Sequence, residues 1–311
     1  MLIPCWNAAA TIERALASVL DEHALPFECV VIDDGSTDGT AGYLAGLTDP
    51  RISHLALPHS GSEAVPRNAA LRAARGEWVA FLDSDDLWLP VKLERQLAAV
   101  AGCPGCDWSY TAYALTNDRG ERVSFPRAPF PQPLSGWILE PLLRHEATAG
   151  TPTLLVRRSL LVELGGFDEA LPLRADYDLS LRLAASSEVC AVPEVLTLVR
   201  EHGGRTTSQR SPAELFGLNV RVFRKAAAAA PTSAIRRLCR RQAAIQLAWR
   251  ATALASDGAH RQALASLGRA LFAAPLAREV WSAGARVAVR TVRTVRPIGG
   301  RALRGDGESP G

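Results

Sequence analysis

The chain has 311 residues, 48% of them hydrophobic and 22% charged, with a formal net charge of +3. Such an ordinary globular composition excludes a collagen-like, disulfide-knotted or wholly disordered chain. The small net charge hides a division: residues 1–204 carry 16 Lys+Arg against 27 Asp+Glu, and residues 205–311 carry 19 against 5. Net charges of −11 and +14 on the two parts point to different partners, one of them anionic.

In chain order, Ile12, Leu16 and Val19 repeat at helical spacing and predict a helix. Cys29-Val30-Val31-Ile32 is a β-branched run that predicts a strand ending in Asp33-Asp34-Gly35-Ser36. A second strand is expected from Ile52 to Leu57 and a helix from Ala64 to Ala74. Trp78-Val79-Ala80-Phe81-Leu82 predicts a strand ending in Asp83-Ser84-Asp85-Asp86, and a helix follows from about Val91 to Ala101. Strands alternating with helices over short links imply an α/β fold, a mostly parallel sheet with helices on both faces. Ligands of such sheets bind outside the carboxyl ends of the strands, where both acidic clusters lie. From about Pro212 the chain becomes Ala/Leu/Arg-rich and helical, broken near Pro231, Gly258 and Pro275. Pro297 to Gly311 is rich in Gly, Pro and charge and reads as a disordered tail.

No run of about 18 apolar residues escapes interruption by charge or Pro, so no membrane span is expected. Met1-Leu2-Ile3-Pro4 lacks a basic stretch leading into an apolar core, so no secretory leader is expected either. Six scattered cysteines read as reduced thiols of a cytoplasmic protein, with Cys103-Pro104-Gly105-Cys106 as a tight turn.

Three carboxylates in Asp83-x-Asp85-Asp86 repel one another unless a cation or a donor-rich ligand neutralises them. Their hard oxygens suit Mg²⁺ or Mn²⁺, which share phosphate oxygens as further ligands. The alternative is that Asp85 or Asp86 caps the helix that follows. In Asp33-Asp34-Gly35-Ser36-Thr37-Asp38-Gly39-Thr40 an acid at a strand end can accept hydrogen bonds from a base or ribose. Alternatively the segment is an Asx-type turn in which Thr37 or Asp38 caps a helix. Neither a dinucleotide-binding glycine motif nor a P-loop occurs.

Pro4-Cys5-Trp6-Asn7, Val31-Ile32-Asp33-Asp34-Gly35-Ser36-Thr37-Asp38-Gly39-Thr40, Arg67-Asn68-Ala69-Ala70 and Phe81-Leu82-Asp83-Ser84-Asp85-Asp86 follow in order. Gly165-Gly166-Phe167-Asp168 and Asp176-Tyr177-Asp178-Leu179-Ser180-Leu181-Arg182 come later. Taken together, the set resembles the family 2 glycosyltransferases, inverting enzymes of the GT-A fold, over about residues 2–205. The resemblance implies a GT-A glycosyltransferase domain at 1–205, with a helical C-terminal region at 206–296 and the tail at 297–311. It implies that Pro4 and Trp6 line a nucleotide base, Trp6 standing where the family usually has Tyr or Phe. Asp34 would hold the base or ribose, and Arg67 would lie near the nucleotide. Asp85 would contact the ribose or the metal, and Asp86 would ligate the divalent ion, Mg²⁺ or Mn²⁺. His202 is a further candidate for the metal or diphosphate region, or else a surface histidine. Asp176 falls at the position of the catalytic base.

Chemistry agrees with those roles. Displacing a nucleoside diphosphate from an anomeric carbon develops charge that a cation stabilises, and the attacking hydroxyl must lose its proton to a waiting carboxylate. Asp178 is the rival base, but positions i and i+2 of a helix point roughly 200° apart, so only one can face the pocket. Alternatively Asp176 caps the helix begun there. Two departures stand out: the chain opens inside the expected first strand, and Ala175 stands where the family commonly has Glu.

In residues 278–296, Trp281, Ala285, Ala288, Val292 and Val295 fall on one apolar stripe, with Arg286, Arg290 and Arg293 on the other side. Such a helix either lies on an anionic membrane surface, peripherally at its inner face, or packs the stripe on its own domain. Few aromatics interleave with the arginines, so no nucleic acid is expected. The sequence reading is a metal-dependent transferase acting on a nucleoside-diphosphate sugar and a glycan or lipid-linked acceptor, in cell-surface or secreted glycan synthesis. Its rivals are a catalytically impaired nucleotide- or glycan-binding relative and an interaction protein working through the basic tail.

Overall fold

A computed structural model of the chain describes residues 1–22, 26–123, 132–203 and 210–295, with 290–295 described by backbone alone. The expected tail at 297–311 and the expected boundary at 205/206 lie outside the described residues. The elements are β1 (Leu2–Cys5), α1 (Ile12–Leu20), β2 (Cys29–Asp33), α2 (Thr40–Ala45), β3 (Ile52–Ala56), α3 (Ala64–Ala73) and β4 (Trp78–Ala80). They continue with β5 (Leu87–Trp88), α4 (Lys92–Ala101), β6 (Cys106–Thr116), α5 (Leu139–Leu143), β7 (Leu154–Arg157), α6 (Arg158–Glu163), α7 (Ala175–Ser186) and β8 (Glu188–Arg200). Four helices close the chain: α8 (Pro212–Ala228), α9 (Ser233–Ser256), α10 (His260–Ala273) and α11 (Arg278–Val295).

All five residues of β2 are buried, which requires cover on both faces of the sheet. Side chains of a strand alternate between faces, and the burial follows that period. Val30 and Ile32 join the larger core, whereas Cys29 and Val31 join the core against α1. Leu2 and Ile3 of β1 divide in the same way. In α1, Ile12, Ala15, Leu16 and Val19 are the buried residues, so the apolar spacing read from the sequence is the packed stripe. Pro66 sits in the first turn of α3, where its missing N–H costs no hydrogen bond.

β1, β2 and β3 form a parallel sheet in that order. A five-stranded mixed sheet runs β4-β7-β6-β8-β5. The two join edge to edge where Leu2 bridges Phe81 in parallel and the Leu82 amide donates to the Leu2 carbonyl at 3.1 Å. The expected α/β class is borne out. The parallel part lies in the first half, while β4–β7, β6–β7 and β5–β8 are antiparallel. The long strands β6 and β8 pair in parallel with two irregularities near Thr111–Tyr113. Their polar interior side chains are satisfied on each other, as between the Thr111 and Thr197 hydroxyls at 3.2 Å.

The CxxC segment is a turn, as expected, but Cys103 and Cys106 are disulfide-bonded rather than reduced. The turn holds their Cα atoms 5.5 Å apart, within the span a disulfide bridges. Cys5, Cys29, Cys190 and Cys239 are free and buried.

α8 begins with a capping box: the Ser211 hydroxyl accepts the Glu214 amide, and the Glu214 carboxylate accepts the Ser211 amide. Val222, Phe223 and Ala227 of α8 and Cys239 and Ala243 of α9 enter the same core as the sheet. Phe223 is fully buried and meets the rings of Tyr177 and His145 edge-on. α10 and α11 pack on α9 instead. There Val280, Ala283 and Val287 of α11 are buried, and Gly284 lets Leu267 of α10 approach within contact distance. The stripe projected from the sequence is therefore not the packed one: Trp281, Ala285 and Ala288 are exposed. No helix among the described residues is long and apolar enough to cross a membrane.

Because Phe223 belongs to the core of the sheet, Phe223→Ala should cost about 3–5 kcal/mol of total stability. In urea the sheet and helices should still unfold in one transition; separate transitions at an unchanged sheet midpoint would show the helices to be independent.

Candidate active site

Three loops leave the carboxyl ends of β1, β2 and β4, and the first two are zipped together by side chains. The Asn7 amide donates to the Ser36 hydroxyl and the Thr37 amide to Asn7 Oδ1, both at 2.8 Å. Asn7 adopts φ +49°, a conformation Asn tolerates through such local bonds. Asp38 accepts the Ala9 and Thr40 amides, so it ties the two loops and starts α2. Asp33 accepts the Ser36 amide at 3.0 Å, closing the turn.

Asp34 is buried and accepts the Ser60 amide on both carboxylate oxygens, at 3.1 and 3.2 Å. His59 Nδ1 lies 3.0 Å from Asp34 Oδ2, and the His59 ring stacks on Trp6 at 4.5 Å between centroids. Trp6 remains 49% exposed, forming an aromatic shelf beside a fixed carboxylate. Half-buried Pro4 lies in β1, two residues before Trp6. Gly35 makes the shelf feasible: it has φ +73°, and a Cβ there would lie 2.5 Å from the His59 nitrogen.

The three carboxylates of the Asp83–Asp86 cluster diverge. Asp83 accepts Arg67 Nη2 at 2.6 Å. Asp85 Oδ2 lies 2.8 Å from His202 Nε2, just past the end of β8. Asp86 is buried, and its Oδ1 accepts the Arg200 amide at 2.9 Å. Asp85 and His202, expected separately from the sequence, thus come together as a half-exposed pair of possible metal donors. A carboxylate and an imidazole, completed by phosphate oxygens and waters, fit a Mg²⁺ or Mn²⁺ ion.

Arg67 is buried on α3 among carboxylates. Its Nη1 donates to the Glu63 carbonyl at 3.1 Å and lies 3.5 Å from the Glu63 carboxylate, while its carbon centre stands 5.6 Å over the Phe167 ring. Burial alone would weaken its charge, but Asp83 and Glu63 outweigh it and hold Arg67 above its ordinary range. Burial pushes Glu63 up to about 7, reinforced by Asp176 and Asp83 and opposed by Arg67 and Arg174. The neighbouring Asn68 exchanges two hydrogen bonds with the Phe167 backbone, at 2.8 and 2.9 Å. This explains Gly166: at φ +66°, a Cβ would lie 2.6 Å from Asn68 Oδ1.

Asp176 is the second residue of α7, whose cap is Arg174 at φ +70°, so Asp176 is not the cap. Its Oδ1 accepts the Tyr177 amide at 2.7 Å, and its charge is felt by both Glu63 and Arg67. Asp178 is committed elsewhere: it is buried, with Arg182 at 2.8 Å and Lys225 at 2.9 Å. Ala175 is fully buried. The sequence reading missed His59, Glu63 and Arg174. Glu63 was signalled only by its i, i+4 spacing to Arg67, and His59 by nothing local. A cavity of about 450 Å³ in the helical region, lined by Phe216, Trp249, Asp257 and Arg286, involves none of these residues.

Residues 1–121 match the family described as Glycosyl transferase family 2. The succinoglycan biosynthesis protein ExoO of Rhizobium meliloti is 32% identical over 200 residues, 61% of this chain and 57% of that protein. The chain therefore spans little more than half of that relative. A relative from Escherichia coli, named UDP-Glc:alpha-D-GlcNAc-diphosphoundecaprenol beta-1,3-glucosyltransferase WfgD, is 30% identical over 192 residues, 62% of this chain and 72% of that one. Among solved structures, S. aureus TarS 1–349 in complex with UDP-GlcNAc has TM-score 0.71 at 21% identity, covering 94% of this chain and 89% of that one. The mannosyltransferase PcManGT from Pyrobaculum calidifontis, in complex with GDP-Man and Mn2+, has TM-score 0.56 at 20% identity, covering 94% and 85%.

A carboxyl group raised in the folded state favours folding at low pH, and that contribution is lost as pH rises from the unfolded value toward about 7. Thermal denaturation of Glu63→Gln against wild type should therefore show the wild type losing stability relative to the variant between pH 5 and 8. Parallel curves would show that Glu63 keeps an ordinary carboxylate range.

Proposed function

The chain belongs to glycosyl transferase family 2, and from that premise we propose that it moves a sugar, with inversion, from a nucleoside-diphosphate donor to an acceptor hydroxyl in glycan assembly. One observation carries the reading: the Trp6–His59 shelf over Asp34, the Arg67–Asp83 pair and the Asp85–His202 pair all gather at the carboxyl ends of parallel strands. Base, ribose and diphosphate of a sugar nucleotide need these features: a flat apolar surface, a hydrogen-bond acceptor and a cation-ready pair.

Trp6 and Pro4 line the base, with His59 as the second ring of the shelf, and Asp34 accepts from base or ribose. Arg67 holds Asp83 in place near the nucleotide. Asp85 and His202 hold the divalent ion, and Asp86, expected as a ligand, anchors the end of β8 through the Arg200 amide. When bound, Mg²⁺ or Mn²⁺ supplies positive charge against the charge that develops on the departing diphosphate. The Mn2+ that accompanies GDP-Man in the Pyrobaculum mannosyltransferase supports that choice of ion.

Asp176 accepts the proton of the attacking hydroxyl. Its carboxylate is half-exposed at the start of α7, whereas Asp178 is occupied by Lys225 and Arg182. Attack from the face opposite the leaving diphosphate inverts the anomeric carbon. The name of the E. coli relative supports a lipid-linked acceptor, and that of the Rhizobium relative supports polysaccharide synthesis.

Asp176→Asn should lower transfer about 10²–10⁴-fold while calorimetric affinity for the nucleoside diphosphate stays unchanged. Transfer near the wild-type rate would place the base elsewhere. Asp85→Ala should abolish the gain in diphosphate affinity that Mg²⁺ or Mn²⁺ brings. Asp86→Ala should preserve that gain and cost about 1 kcal/mol of stability, because the part-buried Arg200 amide loses its acceptor. The reverse pattern would return the metal to Asp86. A panel of sugar nucleotides read by thermal shift identifies the donor.

A further inference from the structure

We propose that the elbow between α10 and α11 is a docking surface for an anionic lipid bilayer. Phe272 in the last turn of α10 and Leu276 in the connecting turn are each 93% exposed. Trp281, in the first turn of α11, is 59% exposed and folds back so that its Nε1 donates to the Pro275 carbonyl at 2.6 Å. Three large apolar side chains thus stand at one corner of the molecule, held there by a short turn. Leu264 on α10 and Val289 on α11 extend the exposed apolar surface along both helices. A single exposed leucine needs no explanation, but a cluster of this kind marks an interaction surface.

These apolar residues are not the helices' means of packing. α11 is seated on α9 and α10 by Val280, Ala283 and Val287, so its other apolar sector is surplus to folding. In a helix of 3.6 residues per turn, Trp281 lies about 100° round from Val280, and Ala285 and Ala288 fall beside it.

The charge around the patch selects its occupant. Exposed Arg261 and Arg269 share α10 with Leu264 and Phe272, and exposed Arg278 and Arg286 share α11 with Trp281 and Val289. α10 contains no acidic residue. The one acid of α11, Glu279, is paired with Arg241 at 2.9 Å. A second copy docked on the same patch would bring arginines against arginines. Nucleic acid would meet an apolar centre where it needs contacts to phosphate. A bilayer with anionic headgroups accepts both parts at once: apolar side chains enter the boundary with the acyl chains, Trp settles at the interface, and arginines meet phosphates. The docking surface does not depend on the sugar-transfer reading, since vesicle binding needs neither donor nor acceptor.

The test is co-sedimentation of the full chain with vesicles of phosphatidylcholine alone or containing about 30 mol % phosphatidylglycerol, at two salt concentrations. Binding should require the anionic lipid and weaken in salt. The triple variant Phe272→Ser, Leu276→Ser, Trp281→Ser should bind at least ten-fold more weakly, with thermal stability and nucleoside-diphosphate affinity unchanged because these side chains are exposed. Arg269→Gln with Arg278→Gln should likewise lose ten-fold or more, at roughly five-fold per arginine. Equal binding by wild type and both variants would overturn the proposal. So would failure of wild type to bind anionic vesicles, including the case in which the triple variant dissolves a dimer that the wild type forms.

Discussion

A guanidinium taken out of water costs several kcal/mol unless its new surroundings replace the lost hydration. Arg67 is such a group, and the architecture of the site follows from how that cost is met. Its position on α3 is fixed by helix packing, so the replacement must come from other segments. Asp83 brings the loop after β4, Glu63 brings the entrance to α3, and the Phe167 ring brings the turn before α7. Asn68, one residue on, fastens that turn by two backbone hydrogen bonds. Segments about a hundred residues apart are thus held against one buried charge, and Asp176 is carried into its field with them. A lysine would not serve as well, because its point charge cannot fork between two acidic partners.

The acidity of the first 204 residues is resolved by the same requirement for partners. An excess of carboxylates at strand ends would repel if all faced one point. Instead each is committed differently: Asp33 and Asp38 to backbone amides, Asp83 to Arg67, Asp86 to the Arg200 amide and Asp178 to Lys225 and Arg182. Those proposed to meet the donor and acceptor, Asp34, Asp85 and Asp176, are each held by a different segment: Asp34 by the Ser60 amide, Asp85 by His202 and Asp176 by the Tyr177 amide at the start of α7. Glu63 is the exception: half-buried, with Asp83 and Asp176 adding to the effect of burial, its carboxyl group is pushed up to about 7. The shifted carboxyl group sits directly against Arg67.

Much of the first half was legible because it is periodic. Cys29 to Ile32, and Ile12 with Leu16 and Val19, announce a covered strand and a one-faced helix. Of the second sheet only β4 was legible: β6 is interrupted by Asp107, Ser109 and Thr111, whose hydroxyls and carboxylate find partners across the sheet or in neighbouring segments. For the site, the acid-rich strand ends located the cleft, but spacing carries no information on where each carboxylate turns. The divergence of Asp83, Asp85 and Asp86 is set by Arg67, His202 and the Arg200 amide, and the last two arrive from far downstream, at separations of 117 and 114 residues. His59 had no local signal at all, since its role arises from a loop that must pass close to Gly35.

The C-terminal helix shows a limit of a different kind. A helical projection finds apolar sectors but does not rank them, and α11 has two that adjoin. The bulkier one, with Trp281, looks like the packing face because large apolar side chains contribute more on burial. Yet packing three helices closely calls for small residues, and Ala283 and Gly284 let α10 and α11 approach where a tryptophan would hold them apart. The small-residue face is therefore buried and the bulky one is turned out, in a region whose basic residues outnumber its acids 19 to 5. Close packing thus buries the small-residue face and leaves outside the bulky one, which the proposed docking would use.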